Sequence, residues 1–335
     1  MKNRFVVVYL GCVIFCVLFF PSIGQVSAQD PTNSAAEKSA RVAFERVGDN
    51  ILVRLGQSHF TTYCTNEFGK PIFYPLLAPG QLGVTRNWPM RSDVKGEAHD
   101  HPHHKSVWFS HEFNGLDFWT ESEGEVKVIA TEFGVKSLKA NQLKTVSQWV
   151  TKKNQKPVFE DQTVYSFGGD LHSRWLEAKI TFKAKYGDLS LDDTKEGVFA
   201  IRTHPDIRLS PRPKQGVNQV FGKAFNSAGD VGKDLWGRKA AWVVYQGPIE
   251  GNDVSIAIFD HVDNLRHPTT WHARDYGLIA ANPFGLHHFQ KQPQGAGAVV
   301  IEKGKSLTLN YRLQIFEGLI DEQQASEVFQ EFVKN

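Results

Sequence analysis

The chain has 335 residues, with 38 Lys and Arg against 36 Asp and Glu, so its formal net charge at pH 7 is +2. This balance argues against a nucleic acid or an anionic membrane as partner, because both select strongly basic surfaces. The three cysteines are too few for a disulfide-held scaffold, so a hydrophobic core must stabilise the fold.

The first predicted element is an export signal. A basic start precedes a mostly apolar run, Phe5–Phe20, and the small residues Val26 and Ala28 fit a signal-peptidase site with cleavage after Ala28. A membrane-spanning helix needs about 20 apolar residues, so residues 1–28 are typical of a signal peptide and not of an anchor. We therefore expect a periplasmic or extracellular protein, with residues 29–40 as a flexible lead-in.

Removal of the signal would take two of the 38 basic side chains and leave 36 basic against 36 acidic ones. Cys64 would then be the single remaining cysteine, which rules out an internal disulfide. No later segment is apolar for long enough to cross a membrane as a helix. We therefore expect no membrane span in the mature chain.

From Arg41 onward the pattern predicts β-strands. Short runs such as ILVRLG and SLTLNYRLQIF alternate apolar with polar residues, and Gly, Pro, Asn or Asp separates most of them. Such strands bury one face and expose the other, which predicts an all-β fold built as a large antiparallel β-sandwich. The sequence shows no repeat or linker, so residues 41–335 are predicted to form a single domain.

A helix is predicted at the C-terminal end. In the tail DEQQASEVFQEFVKN, Asp321 is suited to the N-cap position, where its carboxylate can accept a free backbone N–H. Val328, Phe329 and Phe332 follow at helical spacing and form a short apolar stripe.

The segment His99–Trp119 combines five of the thirteen histidines with several aromatic residues. Pro102 restricts the residue before it to an extended conformation. In an extended segment His101 and His103 point the same way, while His104 faces the other side. These three histidines are candidate catalytic residues, because titratable groups clustered among aromatics indicate a functional site. The alternative is that some of them only brace the loop.

The end of the same segment offers further candidate ligand contacts in His111, Asp117 and Trp119. Imidazoles together with a carboxylate would suit zinc, iron or manganese. A divalent metal, if the protein binds one, is expected on His101, His103 and His111. The sequence does not favour a metal over the alternatives, and it predicts no other cofactor.

A carboxylate precedes a strand in the stretch LDDTKEGVFAIR, where Glu196 lies before the alternating residues and Arg202 lies at their end. A carboxylate that faces a histidine forms a general acid–base pair. Glu196 is therefore the fourth candidate catalytic residue. The alternative is a solvated, charged turn.

A third group of residues is suited to binding a ligand. Arginine and aromatic side chains recognise sugar hydroxyls or carboxylates by forked hydrogen bonds and ring stacking. Together with Arg202, the candidate contacts are Arg86, Trp271, His272, Arg274, Tyr276 and Asn282. Core packing of the aromatics and surface ion pairs of the arginines are the alternatives.

Four ungapped motifs, in this order, resemble a known family: HPHHKSVWFSHEFNGLDFW, DTKEGVFAIR, WGRKAAWVVYQG and WHARDYGLIAANPFG. The family consists of exported bacterial proteins of unknown function that are often labelled methane oxygenase PmoA or PmoA-like. The resemblance spans roughly residues 41–318 and implies no catalytic residue, since the family has no settled activity. The true methane-oxidising subunit is built from spanning helices, which the mature chain lacks, so we do not expect methane oxidation.

The strand pattern, with its His-, Arg- and Trp-rich loops, is also similar to the galactose-mutarotase-like supersandwich. Proteins of that fold use a histidine and a carboxylate on the concave face of a sheet to move protons on a sugar. The similarity implies that His101, His103 or His104 is the acid and that Glu196 is the base.

These observations predict an exported protein that acts on or binds a small-molecule or oligosaccharide ligand, with epimerase, lyase or hydrolase chemistry on a carbohydrate. One alternative is a non-catalytic glycan-binding module whose stacking surface includes Trp271. Another is a metal-dependent enzyme. The sequence contains neither a G-x-S-x-G elbow nor a G-x-G-x-x-G or Walker loop, which argues against a serine hydrolase of that type and against nucleotide binding.

Overall fold

The computed structural model describes residues 40–213 and 219–334. The predicted signal peptide, and all of the predicted lead-in except Ala40, lie outside the described residues. In chain order the described strands are β1 Val42–Val47, β2 Asn50–Leu55, β3 Ser58–Cys64, β4 Ile72–Leu76, β5 Val107–Phe113, β6 Leu116–Asp117, β7 Gly124–Phe133, β8 Gln142–Thr151, β9 Pro157–Gly169, β10 Ser173–Lys183, β11 Leu189–Leu191, β12 Gly197–Arg202, β13 Lys223–Asn226, β14 Trp242–Ile249, β15 Asn252–Asp260, β16 Thr270–Trp271, β17 Leu278–Asn282, β18 Val299–Ile301 and β19 Ser306–Glu317. The α-helices are α1 Leu286–Gln290 and α2 Glu322–Phe332.

The described strands form two large antiparallel sheets. The first sheet has the order β1-β2-β3-β4-β5-β12-β17-β16, β6 and β11 also pair with β5, and β18 pairs with β11. The second sheet has the order β13-β14-β15-β19-β10-β9-β8-β7. No helix in the described ranges is long and apolar enough to span a membrane.

The inner faces of the two sheets share one hydrophobic core. Phe73 of β4 packs edge to face on Tyr165 of β9, with ring centroids 4.8 Å apart, and Phe199 of β12 stacks on Tyr311 of β19 at 5.3 Å. Aromatic contacts of this kind bind two sheets face to face. The predicted fold class, a large antiparallel β-sandwich with a short C-terminal helix, is confirmed.

Alternation along the central strands of the first sheet sends side chains to opposite faces. Phe109 of β5 and Ile201 of β12 lie in the core between the sheets. Their neighbours Trp108 and Ala200 lie on the outer face, in a second apolar cluster that includes Cys64. The outer face of the first sheet is therefore a platform on which the loops between strands can be built.

The outer face of the second sheet carries helix α2. The Asp321 carboxylate accepts the Gln324 N–H at 2.9 Å, and the Gln324 side chain accepts the Asp321 N–H at 3.0 Å, which is a complete capping box. Phe332 is buried and Val328 packs beside it. The predicted N-cap and apolar stripe are confirmed.

Replacement of Asp321 with Ala should lower the free energy of unfolding by about 1 kcal/mol, because backbone N–H groups at the start of α2 lose their acceptor. Urea denaturation measures this change. The control is Glu302→Ala in an exposed turn, where a change within about 0.5 kcal/mol is expected. Equal stability of the two variants would contradict the capping role.

Candidate functional site

A row of side chains crosses the outer face of the first sheet. Ala200 of β12 pairs with Trp108 of β5 on one side and with Ala280 of β17 on the other. His272 exchanges backbone hydrogen bonds of 2.9 and 3.2 Å with Ala280, so it continues the row. Strand spacing makes the row about 14 Å wide. The two alanines are buried in the middle of the row, and Tyr276 packs into the apolar cluster there.

The segment between β4 and β5 places a histidine cluster, His101, His103 and His104, over the Trp108 end of this row. The His101 ring stacks on His104, with centroids 4.8 Å apart, and His103 meets His104 edge to face at 4.5 Å. His104 also stacks on Trp108 at 5.6 Å. All three rings therefore lie together on one side of the loop.

This arrangement corrects the predicted orientation of the loop. His101 has a left-handed backbone with φ of 45°, and the His104 N–H donates to the His101 carbonyl at 3.0 Å. Residues 101–104 thus form a turn instead of an extended segment. The turn brings His104 back onto His101, although alternation along an extended segment predicted that it would face away.

Arg86 explains why the loop adopts this turn. Its guanidinium donates to five carbonyls of the surrounding chain, at 2.8–3.2 Å, which belong to Trp88, Ala98, Asp100, His101 and His104. It also forms an ion pair with the Asp100 carboxylate at 2.6 Å, and it is only 1% exposed. Arg86 therefore positions the histidine cluster and has no surface to offer to a ligand.

Asp100 joins the cluster to further arginines. Its carboxylate also pairs with Arg202 at 3.3 Å and with Arg212 at 3.1 Å. Burial raises the pKa of Asp100, but the neighbouring His101 and the arginines outweigh this effect and hold the pKa far below its usual range. Asp100 is therefore an anion at every physiological pH.

Two histidines of the cluster are held neutral. Burial, followed by the charge of Lys70, lowers the pKa of His103 to about 3. Burial, followed by His103 and Arg202, lowers the pKa of His104 well below its ordinary value. Arg202 lies 3.3 Å from His104 Nδ1 and can only donate, so the neutral ring carries its hydrogen on Nε2. At neutral pH these imidazoles are therefore uncharged; they can form hydrogen bonds but cannot act as general acids.

The opposite end of the row carries Glu196. Its carboxylate forms an ion pair with Lys195 at 2.6 Å and lies 3.7 Å from Nδ1 of the buried His272. Burial, followed by the charges of Arg274 and Lys195, lowers the pKa of His272 to about 3. Glu196 itself is 21% exposed, so it is accessible to a ligand beside a neutral imidazole.

Tyr276 links the two ends. It stacks on His101 at 5.2 Å, and the guanidinium of Arg274 lies 5.6 Å from its ring centroid. Burial raises the pKa of Tyr276, Arg202 and Arg274 lower it, and the charge of Glu196 raises it again. The histidine cluster, Tyr276, Arg274 and the Glu196–His272 pair therefore belong to one site.

A buried lysine supports the floor below the histidines. Lys70 donates to the Trp119 carbonyl at 2.7 Å and lies 5.4 and 5.9 Å from the ring centroids of Trp108 and Trp119. It pairs with Glu121, which also pairs with Lys105. Burial, offset in part by Glu121, lowers the pKa of Lys70 to about 8. This network fixes both tryptophans from behind.

Four buried polar atoms around the site have no hydrogen-bond partner. They are the indole nitrogens of Trp108 and Trp119 and the Nδ1 atoms of His101 and His272. His101 Nδ1 lies 3.4 Å from an Asp100 oxygen without the geometry of a hydrogen bond. A buried polar group without a partner costs about 1–3 kcal/mol, so three such atoms at the histidine end and one at the Glu196 end indicate positions for a polar ligand or bound water.

Some predicted ligand contacts lie elsewhere. His111 shares the inward face of β5, and its ring nitrogens lie 2.6 and 2.7 Å from the carbonyls of Glu196 and Asp192. Trp271 is fully buried and donates to the Ala240 carbonyl at 2.9 Å. The buried Asn282 donates to the Thr194 carbonyl before β12 and accepts the N–H groups of Phe284 and Gly285 after β17. These residues brace the site from within, so the proposed metal set with His111 and the stacking role of Trp271 are corrected.

Asp117 and Trp119 have supporting positions next to the cluster. The Asp117 carboxylate accepts the Thr120 N–H at 2.8 Å, which fixes the turn after β6. Trp119 is buried with its ring 5.8 Å from His104. Within the described ranges, no group of three or more His, Cys, Asp or Glu side chains is arranged to hold a metal ion.

Three important residues were missed by the sequence reasoning, Lys70, Asp100 and Trp108. Asp100 lies inside the histidine segment, and a carboxylate among histidines could have been predicted to pair with a cation. Trp108 is the alternate neighbour of Phe109, so strand alternation could have placed it on the outer face. Nothing in the local sequence around Lys70 predicts a lysine buried beneath two tryptophans.

The comparisons with known proteins give a family. Residues 50–330 match a family of unknown function, DUF6807, and the chain belongs to that family. The family description contains no reference to a methane oxygenase. No functionally curated protein matches the sequence at a significant level.

Solved structures match over most of the chain at low similarity. The Slr1438 protein from Synechocystis sp. PCC 6803 is 12% identical with a TM-score of 0.30, over 84% of this chain and 97% of that one. A putative aldose 1-epimerase from Escherichia coli K12 is 11% identical with a TM-score of 0.27, over 82% and 99% of the chains. The 4-alpha-glucanotransferase from Thermococcus litoralis is 10% identical with a TM-score of 0.30, over 84% of this chain and 40% of the enzyme. At this level the matches establish neither a function nor a site.

Replacement of Arg86 with Gln should lower the free energy of unfolding by about 3–5 kcal/mol, because Asp100 and the loop carbonyls lose a buried cation. Arg86→Lys should not restore stability, since an ammonium cannot reach so many acceptors. The control Arg91→Gln removes an exposed arginine and should leave the free energy of unfolding nearly unchanged. The free energy of unfolding is measured by urea denaturation. Equal values for Arg86→Gln and Arg91→Gln would contradict the positioning role of Arg86.

Acid should destabilise the protein partly through His272. Its pKa is lowered on folding, so its contribution to stability is complete above about pH 6.5 and is lost as the pH falls towards 3. Between pH 6.5 and 4.5, the free energy of unfolding should therefore fall less steeply in His272→Asn than in the unmodified protein. The control is His288→Asn, at an exposed position. Identical slopes in all three proteins would refute this assignment.

Proposed function

We propose that this DUF6807 protein is a carbohydrate-active protein whose ligand binds over the outer face of the first sheet. The observation that carries the proposal is the group of four unpaired buried atoms around the histidine cluster and the Glu196–His272 pair. A sugar presents several hydroxyl groups, each of which both donates and accepts, so one molecule can satisfy indole N–H groups and imidazole nitrogens together.

The dimensions and chemistry of the site agree with a sugar ligand. The row from Trp108 to His272 spans about 14 Å, and its side chains are buried, so a sugar would reach the site beside the partly exposed Glu196, Arg274 and Tyr276. His103 and His104 are neutral, so they can bind hydroxyls without the desolvation cost of buried charge. Arg274 and Tyr276 are partly exposed at the edge and can contact a sugar face or a carboxylate.

The proposed chemistry is proton transfer with Glu196 as the acceptor. Glu196 is an accessible carboxylate, and the neutral His272 lies beside it to accept a hydrogen bond. His101, at the other end of the site and stacked on Tyr276, is proposed as the donor. His103 and His104 are assigned to hydrogen bonding, because their depressed pKa values leave them without a proton to give at neutral pH. Epimerase, lyase and hydrolase reactions all need such a pair.

Export through the predicted signal peptide is part of the proposal and places the ligand outside the cytoplasm. N-terminal sequencing of the protein from the periplasm or medium would test it, with Gln29 expected as the first residue. The PmoA-like label contributes nothing to the proposal, since neither the site nor the family description points to methane.

Binding is tested by calorimetry and thermal shift against neutral, acidic and keto sugars, as monosaccharides and short oligomers. Saturable binding of at least one sugar is expected, and Tyr276→Ala should weaken it about tenfold or more through loss of ring contact. Tyr186→Ala is the control, since Tyr186 is an exposed tyrosine that donates to Glu160 of the second sheet. The proposal fails if no sugar binds, or if both variants bind equally.

Catalysis is tested with the sugar that binds. Glu196→Gln keeps the shape of the side chain and removes its basicity, so kcat should fall about 10²–10⁴-fold while Kd changes little. Glu302→Gln is the exposed control and should leave both values unchanged. Sugar binding without turnover in the unmodified protein would identify a glycan-binding module and reject the proton-transfer role.

A further inference from the structure

Next to the histidine cluster lies a small cavity lined mainly by arginines. Its walls are Arg86, Ala98, Arg202, Thr203, Pro205, Arg208, Arg212 and Tyr276, and its volume is about 10 Å³. That is room for one particle of about the size of a water molecule. We call it the arginine cavity. Four of its eight lining residues are cationic and none is acidic.

A single carboxylate serves most of the arginines around the cavity. Asp100 pairs with Arg86, Arg202 and Arg212. The charge of Glu97 also acts on Arg86, and that of Asp206 acts on Arg208. Three guanidinium groups therefore share one paired carboxylate at the cavity wall. Buried like charges repel unless a counter-ion offsets them.

Arg208 is the arginine without an ionic partner at hydrogen-bond distance. Its Nε donates to the Pro205 carbonyl at 2.7 Å, while its Nη1 is buried and has no hydrogen-bond partner. The residue is 5% exposed and lines the cavity. A buried guanidinium N–H without an acceptor is costly, because it has lost water and gained nothing in exchange.

We propose that the arginine cavity binds one small monovalent anion of chloride size, held by Arg208 and Arg212 against Tyr276. The volume excludes phosphate, sulfate and any sugar, and a chloride ion, which is slightly larger than a water molecule, fits if the partly exposed Arg212 side chain moves outward. The unpaired Nη1 of Arg208 supplies the donor. The arginine cavity shares the Tyr276 side chain with the sugar site, but the anion proposal does not rest on the proposed function.

The anion would also steady the functional site. Arg212 and Arg202 both face the ring of Tyr276, at 5.7 and 4.4 Å, and Arg202 contacts His104. An ion that offsets their repulsion holds this group of side chains in place. Loss of the anion is therefore expected to lower the stability of the protein. It should also loosen Tyr276 and His104, which contact these arginines.

The test is thermal unfolding of the full chain, prepared without halide, in mixtures of sodium chloride and sodium gluconate at constant ionic strength. Gluconate is too large for the cavity and serves as the inert anion. The Tm should rise saturably with chloride, by about 4 °C at about 100 times Kd, and bromide should act like chloride. A Tm that depends on ionic strength alone would overturn the proposal.

Variants locate the effect. Arg208→Gln should abolish the chloride response, and Arg91→Gln, an exposed arginine, should retain it in full. Arg212→Gln is the second test if Arg208→Gln does not fold, because Arg212 is more exposed, and it should weaken the response at least tenfold in Kd. An undiminished response in both cavity variants would refute the site.

Two further measurements distinguish a free halide ion from the carboxylate of an acidic sugar. Bromide-soaked crystals should show one anomalous peak between Arg208 and Arg212, and a peak elsewhere with none in the cavity would contradict the proposal. Stabilisation by glucuronate but not by chloride would also overturn it, because the arginines would then bind the acidic group of a sugar.

Discussion

The buried guanidinium of Arg86 is the interaction on which the rest of the site depends. It lies just after β4 and donates to carbonyls up to 18 residues further along the chain. These bonds impose the turn at His101 and hold Asp100 where it can pair with Arg202 and Arg212. The histidine cluster and the arginine cavity are therefore two products of one constraint. A buried ion network of this kind contributes more to the positions of the surrounding groups than to the net free energy of folding.

The sandwich supplies the platform that this constraint acts upon. Alternation on β5 and β12 gives the inner face to the core and leaves Trp108 and Ala200 on the outer face. Two buried alanines lie in the middle of the row, and the larger Trp108 and His272 lie at its ends. Gly197 is needed at the edge of this platform, because it has φ of 154° and a Cβ there would come within 2.3 Å of the His111 ring. His111 thus packs against the backbone and supports Glu196 through its carbonyl.

Burial decides the protonation states and thereby the roles. His103 and His272 have much depressed pKa values because they are enclosed and because cations surround them. His103 and His104, two of the histidines expected to act as acids, are neutral hydrogen-bonding groups, while Glu196 stays accessible beside His272. The same burial makes the protein sensitive to acid, since the unfolded chain accepts protons that the folded chain refuses.

The sequence by itself determined the fold class, the strand alternation, the capped C-terminal helix and the residue types of the site, because these follow from local periodicity and local hydrogen bonds. Strand alternation also places His111 on the inner face of β5, two residues after Phe109. The sequence therefore contained the information that His111 is buried, although we predicted it to contact the ligand. Only the tertiary structure decided the turn at His101, the burial of Lys70 and the neutrality of His103. Those features result from contacts between residues far apart in sequence. Secondary-structure propensity and the spacing of residues along the chain do not specify which distant side chains will be in contact.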